Sequence, residues 1–211
     1  MIKAIIWDFD GVIVDSVQNL YNILNDIYDG HKKDKENIKG SRHNGIEGLY
    51  NNFIETEPKT PEITIQEFKI MIETHPAFNL PKSALINSNI DFIKKSKEDG
   101  IKQAIASNSP KDRLKSLLKY LEIENLFDFT ITPCDVSFPK PNPEMIIETT
   151  KWLGIEPNEA LFIDDSETAL QAGIEAGTKT ALFTNKDKET VENKKINLII
   201  DDINELDLKK F

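Results

Sequence analysis

The chain has 211 residues, of which 39% are hydrophobic, and this apolar content at this length is enough to bury a core, which excludes wholesale disorder. Its 36 acidic residues against 26 basic ones give a net charge of −10, which repels phosphate backbones, so we expect no nucleic acid partner. The chain has a single cysteine, Cys134, which excludes an internal disulfide and is typical of a reducing cytoplasm. No apolar run approaches the roughly 18 residues of a membrane span, so we expect a cytoplasmic protein with no membrane partner.

Short apolar segments recur along the chain and predict β-strands, because each is too short for a helix and is bounded by turn residues. They are Lys3–Trp7, Lys102–Ser107, Phe127–Thr132, Ala160–Asp164, Thr178–Phe183 and Leu198–Asp201. Between them, helix-capping patterns predict helices that begin at Ser88, Ser109, Asn142 and Ser166. Strands alternating with helices predict an α/β fold with a parallel sheet covered on both faces. Trp7 and Trp152 are core candidates by pattern.

One interval interrupts this alternation. The first predicted strand is followed by helical patterns near 16–29, 44–56 and 64–75 before the next strand starts at Lys102. This interval is too long for a single crossover connection. We therefore expect two domains, a core formed by residues 1–14 and 87–211 and an inserted helical domain formed by residues 15–86.

Two pairs of acids follow predicted strands. Asp8 and Asp10 are two residues apart, so in an extended chain their carboxylates project to the same side. Asp164 and Asp165 end another apolar strand, and the carboxyl ends of parallel strands are where such sheets bind ligands. Clustered carboxylates with no His or Cys nearby favour a hard cation, and Mg²⁺ is the default beside phosphate. The alternatives are a solvated strand end for the first pair and a surface helix cap for the second.

Polar and basic groups follow two further strands. Ser107 and Asn108 precede a predicted helix start, whose backbone N–H groups and dipole favour an anion. Lys140 lies between prolines, which restrict the backbone of its loop. The alternative readings are a helix cap that binds nothing and a solvated lysine.

Taken together, these motifs resemble the haloacid dehalogenase (HAD) superfamily of phosphotransferases. The resemblance rests on the segment from Asp8 to Ser16 (DFDGVIVDS), on Ser107, on Lys140-Pro141 and on the segment from Asp164 to Ser166, which occur in this order. It is strongest for the branch with a helical cap inserted after the first strand, which holds phosphoglycolate phosphatase and β-phosphoglucomutase. The resemblance implies a Rossmann-like core, with residues 15–86 as the cap.

The resemblance also implies roles for individual residues. Asp8 would be the nucleophile that forms an aspartyl-phosphate, and Asp10 the acid and base. Lys140, Ser107 and the Asn108 backbone would bind the transferring oxygens. Mg²⁺ would be held by Asp8, the Asp10 backbone carbonyl, Asp165 and the adjacent Asp164. The function implied is a Mg²⁺-dependent phosphatase acting on a small phosphorylated metabolite.

Two alternatives stay open. A phosphomutase is favoured by the segment Lys39–Arg42 (KGSR), which resembles the substrate-binding segment of the β-phosphoglucomutase cap and makes Arg42 a candidate substrate contact. It is disfavoured because one residue is missing from the spacing and because Leu20 stands where the mutase has a histidine. A non-catalytic protein that binds a phosphorylated ligand would not need Asp10.

Overall fold

Parallel strands form one sheet at the centre of the structure. A computed structural model of the chain describes residues 1–16, 19–20, 22–23, 26, 50–51, 64–75, 78–184 and 193–210. Within it the strands are β1 (Ala4–Trp7), β2 (Lys102–Ala106), β3 (Phe129–Ile131), β4 (Ala160–Asp164), β5 (Lys179–Phe183) and β6 (Leu198–Ile200). All neighbouring strands are parallel, and their spatial order is β3-β2-β1-β4-β5-β6.

Helices connect these strands. The described α-helices are α1 (Ile65–Thr74), α2 (Asn87–Glu98), α3 (Lys111–Tyr120), α4 (Glu144–Leu153) and α5 (Glu167–Ala176). Short 3₁₀ segments cover Lys82–Ala84, Glu124–Leu126, Pro133–Asp135, Pro157–Glu159, Ile203–Glu205 and Leu208–Lys210. The predicted α/β fold with a parallel sheet is confirmed. None of the helices in the described ranges is long and apolar enough to cross a membrane.

The strand order places β1 and β4 side by side in the middle of the sheet. Trp7 is the register partner of Ile163, so the residues that follow them, Asp8 and Asp164, lie at the same level at the carboxyl ends of the two strands. The chain builds outward from β1 to β2 and β3, then returns to the other side of β1 to build β4, β5 and β6. Ligands of open α/β sheets bind at such a reversal point, beyond the carboxyl ends of the strands.

The chain divides into two units, one comprising Met1–Asp15 and Lys82–Phe211 and the other Ser16–Pro81. The core of the first unit is the sheet, whose central strands β1 and β4 are buried along their whole length. Trp7 is fully buried and its indole N–H donates to the Gln103 side chain at 2.8 Å. In the second unit, Thr64 and Glu67 form a capping box at the start of α1, and Phe68 and Ile72 are buried.

The structure differs from the sequence-based expectation at two helix starts. Helix α2 begins at Asn87, so Ser88 lies inside it and does not cap it. Helix α3 begins at Lys111 and its N-cap residue is Pro110, whose side chain has no group that could cap the helix. The Ser109 hydroxyl lies one residue before the N-cap and has other partners. The predicted starts near Asn142 and Ser166 are confirmed, since the Asn142 side chain accepts from the Glu144 N–H and Ser166 accepts from the Ala169 N–H.

Candidate active site

Three carboxylates meet beyond the ends of β1 and β4. Oxygens of Asp8, Asp164 and Asp165 all lie within 4.8 Å of one another. The backbone that presents them is fixed by the sheet, since the Asp8 N–H continues the β1–β4 ladder by donating to the Ile163 carbonyl at 2.8 Å. Asp8 and Asp164 are buried, and Asp165 is half-buried.

A lysine from a third loop joins two of these carboxylates. The Lys140 ammonium donates to Asp8 Oδ1 at 2.7 Å and to Asp164 Oδ2 at 2.6 Å, and its side chain is only 2% exposed. The ammonium also lies 5.1 Å from the centroid of the Phe162 ring, whose face attracts a cation. The Asn108 amide donates to the Lys140 carbonyl at 2.9 Å and so ties the loop after β2 to the lysine loop.

Burial and charge set the protonation of this group. Burial, reinforced by the neighbouring Asp164 charge, raises the pKa of Asp8 to about 7 despite the opposing Lys140 charge. Burial likewise raises the pKa of Asp164, and the Asp165 charge adds to the effect. Burial would lower the pKa of Lys140, but the charges of Asp164 and Asp8 together raise it above its ordinary value. The lysine is therefore a fixed cation beside carboxyls that are costly to ionise together.

The three carboxylates also fit a divalent cation. Clustered carboxylates raise one another's pKa, and a cation that joins them removes this cost. Their donor set is all oxygen, which suits a hard ion rather than one that prefers nitrogen or sulfur. In Asp164 the two oxygens have separate partners: Oδ2 accepts from Lys140, and Oδ1 accepts from the Ser166 N–H at 2.9 Å.

Gly11 lies against this cluster. Its φ is +89°, and a Cβ built on it would lie 2.1 Å from Asp165 Oδ2. No side chain can occupy that space without moving the carboxylate, and the positive φ independently favours glycine. The sequence Asp-Gly after β1 is thus required by the close approach of two loops.

The loop after β2 lies beside the lysine loop. Ser107 is buried, and its hydroxyl accepts from the Ser109 N–H at 3.1 Å. The Ser107 N–H donates to the Ile131 carbonyl at 3.2 Å, which continues the β2–β3 ladder. Ser107 and Asn108 are therefore held at the end of β2, directly before α3, as the sequence placed them.

Asp10 has partners that the sequence reasoning did not anticipate. Arg113 on α3 donates to the Asp10 carboxylate with both terminal nitrogens of its guanidinium. Nη1 donates to Oδ2 at 2.8 Å and Nη2 donates to Oδ1 at 3.0 Å. The Ser109 hydroxyl donates to the same Oδ2 at 2.5 Å and accepts from Arg113 Nη1 at 2.8 Å. The four-residue spacing of Ser109 and Arg113 at the start of a predicted helix is the one sequence signal that could have placed the pair on one face.

The other sequence-predicted contact lies in the second unit. Arg42 and the segment 39–42 around it fall outside the described residues. Leu20 is described and lies in a helical segment.

Comparison with known proteins identifies the family. The model of the haloacid dehalogenase-like hydrolase family matches residues 5–183. A phosphoglycolate phosphatase of Aquifex aeolicus is 25% identical over 85% of this chain and 84% of its own length. The pyrophosphatase PpaX of Bacillus cereus is 23% identical over 97% of this chain and 94% of its own length.

A solved structure shares the fold. The β-phosphoglucomutase of Clostridium difficile is 23% identical and superposes with a TM-score of 0.74, covering 100% of this chain and 95% of its own. At that identity the likeness concerns the fold alone. The family match and the relatives together confirm the predicted enzyme class, a phosphatase. The chain belongs to the haloacid dehalogenase-like hydrolase family.

Proposed function

We propose that this protein is a Mg²⁺-dependent phosphatase that hydrolyses the phosphate monoester of a small metabolite through an aspartyl-phosphate on Asp8. The observation that carries the proposal is the buried Lys140 ammonium shared by Asp8 and Asp164 within the carboxylate cluster. A buried nucleophile beside a fixed cation suits attack on a phosphate dianion, which carboxylates alone would repel. The phosphatase and pyrophosphatase names of the relatives agree with this chemistry.

In the first half-reaction, a carboxylate oxygen of Asp8 attacks phosphorus and the bond from phosphorus to the ester oxygen breaks. Asp10 gives its proton to that departing oxygen, so the alcohol leaves neutral. Asp8 then carries the phosphoryl group, and Asp10 is ionised.

In the second half-reaction, a water oxygen attacks the phosphorus on Asp8. Asp10 takes a proton from that water, the bond from phosphorus to the Asp8 oxygen breaks, and inorganic phosphate leaves. Asp8 regains its carboxylate and Asp10 its proton, so the enzyme returns to its starting state.

Other residues bind and orient the phosphoryl group. Lys140 and Ser107, with the Asn108 backbone, would contact its transferring oxygens. Asp8, Asp164 and Asp165, with the Asp10 carbonyl, would hold Mg²⁺, which when bound neutralises phosphoryl charge. We assign the selection of the substrate to the inserted cap, residues 15–86, with Arg42 as a candidate contact.

The test is phosphate release from a panel of small phosphate monoesters, measured with Mg²⁺ and with excess EDTA. We expect turnover of at least one ester in Mg²⁺ and its loss in EDTA, because the carboxylate cluster would otherwise repel the dianion. Full turnover in EDTA would refute the metal assignment. Binding of esters without turnover of any of them would instead favour the non-catalytic alternative.

A second assay of the same protein distinguishes phosphatase activity from phosphomutase activity. β-Glucose 1-phosphate is supplied with catalytic glucose 1,6-bisphosphate, and glucose 6-phosphate is compared with released phosphate. We expect phosphate release to dominate, because Leu20 offers no hydrogen bond where the mutase has a histidine. Faster accumulation of glucose 6-phosphate would favour the mutase.

Gly11→Ala should weaken Mg²⁺ binding by about 10-fold or more, the range seen when a group that orients a metal ligand is changed. The added methyl would occupy space that the Asp165 carboxylate fills, at 2.1 Å from its Oδ2. Isothermal titration calorimetry with Mg²⁺ measures the effect.

The matched control for that variant is Gly100→Ala. Gly100 has nearly the same φ, +84°, but nothing lies within 4 Å of its would-be Cβ. It should lose about 1–2 kcal/mol of stability from the left-handed backbone and keep its Mg²⁺ affinity. Equal affinity losses in both variants would show that backbone strain, not displacement of Asp165, is responsible.

A further inference from the structure

The loop that carries Lys140 is exposed to solvent on both sides of the lysine. Of residues 137–142, only Lys140 is buried, and the other five are exposed. Val136, directly before the loop, packs against the core, and α4 begins at Glu144, shortly after the loop. Burial of the loop's own side chains therefore does little to fix its course, so that its position depends on its hydrogen bonds.

Prolines at positions 139 and 141 leave this loop few groups with which to form such bonds. A proline has no N–H, so residues 137–142 offer four backbone donors, those of Ser137, Phe138, Lys140 and Asn142. The Asn142 N–H closes a turn by donating to the Pro139 carbonyl at 3.0 Å. The first two of the four donate to one side chain.

That side chain is the carboxylate of Glu144. Its Oε1 accepts from the Ser137 N–H at 3.0 Å, and its Oε2 accepts from the Phe138 N–H at 2.9 Å. Hydrogen bonds to an ionised acceptor are stronger than those between neutral groups. Because each oxygen has its own donor, the carboxylate fixes two successive peptide groups of the segment that leads to Lys140.

Glu144 itself is attached to a rigid support. It is the first residue of α4, where the helix dipole favours a negative charge. Met145 and Ile146, which follow it, are fully buried in the core. The Asn108 amide holds the loop at a separate point, since it donates to the Lys140 carbonyl at 2.9 Å. Asn108 therefore fixes the backbone at the lysine, and Glu144 fixes the segment before it.

We propose that Glu144 is a positioning residue, whose carboxylate holds the loop so that the Lys140 ammonium reaches both Asp8 and Asp164. Its effect on catalysis rests on the proposed function, since Glu144 is assigned no contact with substrate. The ammonium donates to Asp8 at 2.7 Å and to Asp164 at 2.6 Å, and hydrogen bonds weaken steeply as their geometry is distorted. A loop released from Glu144 would present the lysine less accurately to these two oxygens.

Glu144→Gln tests the proposal with little change in side-chain size. Glutamine keeps one carbonyl oxygen but places an NH₂ group, a donor, where the second backbone N–H needs an acceptor. We expect kcat for the best ester to fall by about 10-fold in Glu144→Gln and by about 10²-fold in Glu144→Ala, since a small misplacement of a catalytic group has effects of this size. Initial rates at saturating ester and Mg²⁺ measure the effect.

The matched control is Glu148→Gln. Glu148 lies one turn later on α4, its side chain is 45% exposed, and it pairs with Lys151 at the surface. This variant should keep the wild-type kcat, because an exposed pair of this kind contributes little. Equal losses in Glu144→Gln and Glu148→Gln would show that a general weakening of α4 is responsible and would overturn the proposal.

A spectroscopic measurement observes the position of Lys140 without any turnover. Protons of a buried ammonium bonded to two carboxylates exchange slowly with water, so the side-chain ¹H–¹⁵N spectrum in EDTA should contain a Lys140 signal, identified by its absence from Lys140→Met. We expect this signal to shift or broaden in Glu144→Gln and to stay unchanged in Glu148→Gln. An unchanged Lys140 signal in Glu144→Gln would overturn the proposal, whatever the change in Tm.

A double variant asks whether Glu144 acts through Lys140. In the Lys140→Met background, Glu144→Gln should lower kcat by less than a further threefold or so, because residues that act as one unit are not additive. An undiminished loss in that background would contradict the assignment. If Glu144→Ala does not fold, as judged by circular dichroism, the comparison is carried by Glu144→Gln.

Failure of this inference can be told apart from failure of the proposed function. A wild-type protein that hydrolyses an ester, combined with a Glu144→Gln variant that has the wild-type kcat and Lys140 signal, would refute the role of Glu144 alone. A wild-type protein that hydrolyses no phosphate ester would refute the phosphatase proposal, and the Lys140 signal would still show whether Glu144 positions the lysine.

Discussion

Asp8→Asn should abolish phosphate release, with kcat falling by at least about 10⁴-fold, the size of effect seen when a covalent nucleophile is removed. An amide nitrogen or oxygen does not attack phosphorus to give a stable acyl phosphate, so the aspartyl-phosphate cannot form at this position. Asparagine is nearly isosteric with aspartate, so the amide oxygen of the variant can still accept from the Lys140 ammonium, which in the wild type lies 2.7 Å from Asp8 Oδ1. Initial-rate measurements with the best ester from the panel give the result.

Asp91→Asn is the control for that experiment. Its side chain is 79% exposed on α2, and the variant should keep the wild-type rate. Retention of more than a few per cent of activity by Asp8→Asn would contradict covalent catalysis at this residue.

Lys140→Met should lower turnover by about 10²–10³-fold, the effect of removing one group that stabilises charge in the transition state. It should also alter stability, because Asp8 and Asp164 would then face each other in a buried site without their shared cation. Removal of one partner from a buried ion pair costs about 3–5 kcal/mol when the remaining charge is not neutralised.

The loss of stability caused by Lys140→Met should depend on pH, and the direction of that dependence follows from the pKa of Asp8. Burial already raises the pKa of Asp8 to about 7 with Lys140 present, and without the lysine the pKa would rise further. When folding raises the pKa of a carboxyl, the protonated form of that carboxyl favours the folded state. This contribution to stability is complete below the pKa in the unfolded chain, near 4, and is lost as the pH rises through the pKa in the folded protein. In EDTA, the gap in Tm between wild type and Lys140→Met should therefore be wider at pH 8 than at pH 5.

Added Mg²⁺ gives a further check on Lys140→Met. A cation bound by the carboxylates should restore part of the Tm lost at pH 8. Lys115→Met, at an exposed position on α3, should match wild type at both pH values. A gap that is the same at pH 5 and pH 8 would show that Lys140 stabilises the fold by packing rather than by charge.

The meeting of Asp8 with Asp164 could be predicted because it depends on periodicity and topology. Apolar runs marked the strands, and parallel strands that are neighbours in a sheet bring their carboxyl ends together. The pairing of Trp7 with Ile163 brings the carboxyl ends of β1 and β4 together as this reasoning predicts.

The partners of Asp10 could not be predicted in the same way. Ser109 has the residue type and position of a helix cap, and sequence reasoning assigned its hydroxyl to the backbone of α3. The hydroxyl instead contacts Asp10 and Arg113, because a charged acceptor and a guanidinium compete better for it than an N–H at the end of the helix. That competition depends on a contact between residues about a hundred positions apart, which no local pattern contains.

The prediction that Trp152 lies in the core is wrong for a different reason. Trp152 is 58% exposed and stacks on Phe129, with ring centroids 4.5 Å apart. The buried residues of α4 are Met145, Ile146, Thr149, Thr150 and Leu153. On a 3.6-residue helix, Trp152 is rotated by about 90° from the centre of the face that they form. The helical phase within the segment, rather than residue type, decides which aromatic is buried.

The central place of β1 in the sheet has a consequence for synthesis of the chain on the ribosome. Ala4 must pair on one side with Lys102 and on the other with Ala160, so the first strand to emerge is among the last to be enclosed. Pairings of such long sequence separation fold slowly, and until they form, the apolar AIIW run is exposed to other chains. In a nascent chain the β4 side of this run therefore stays unpaired until residues 160–164 have been synthesised, and Asp8 stays apart from Asp164 over the same period.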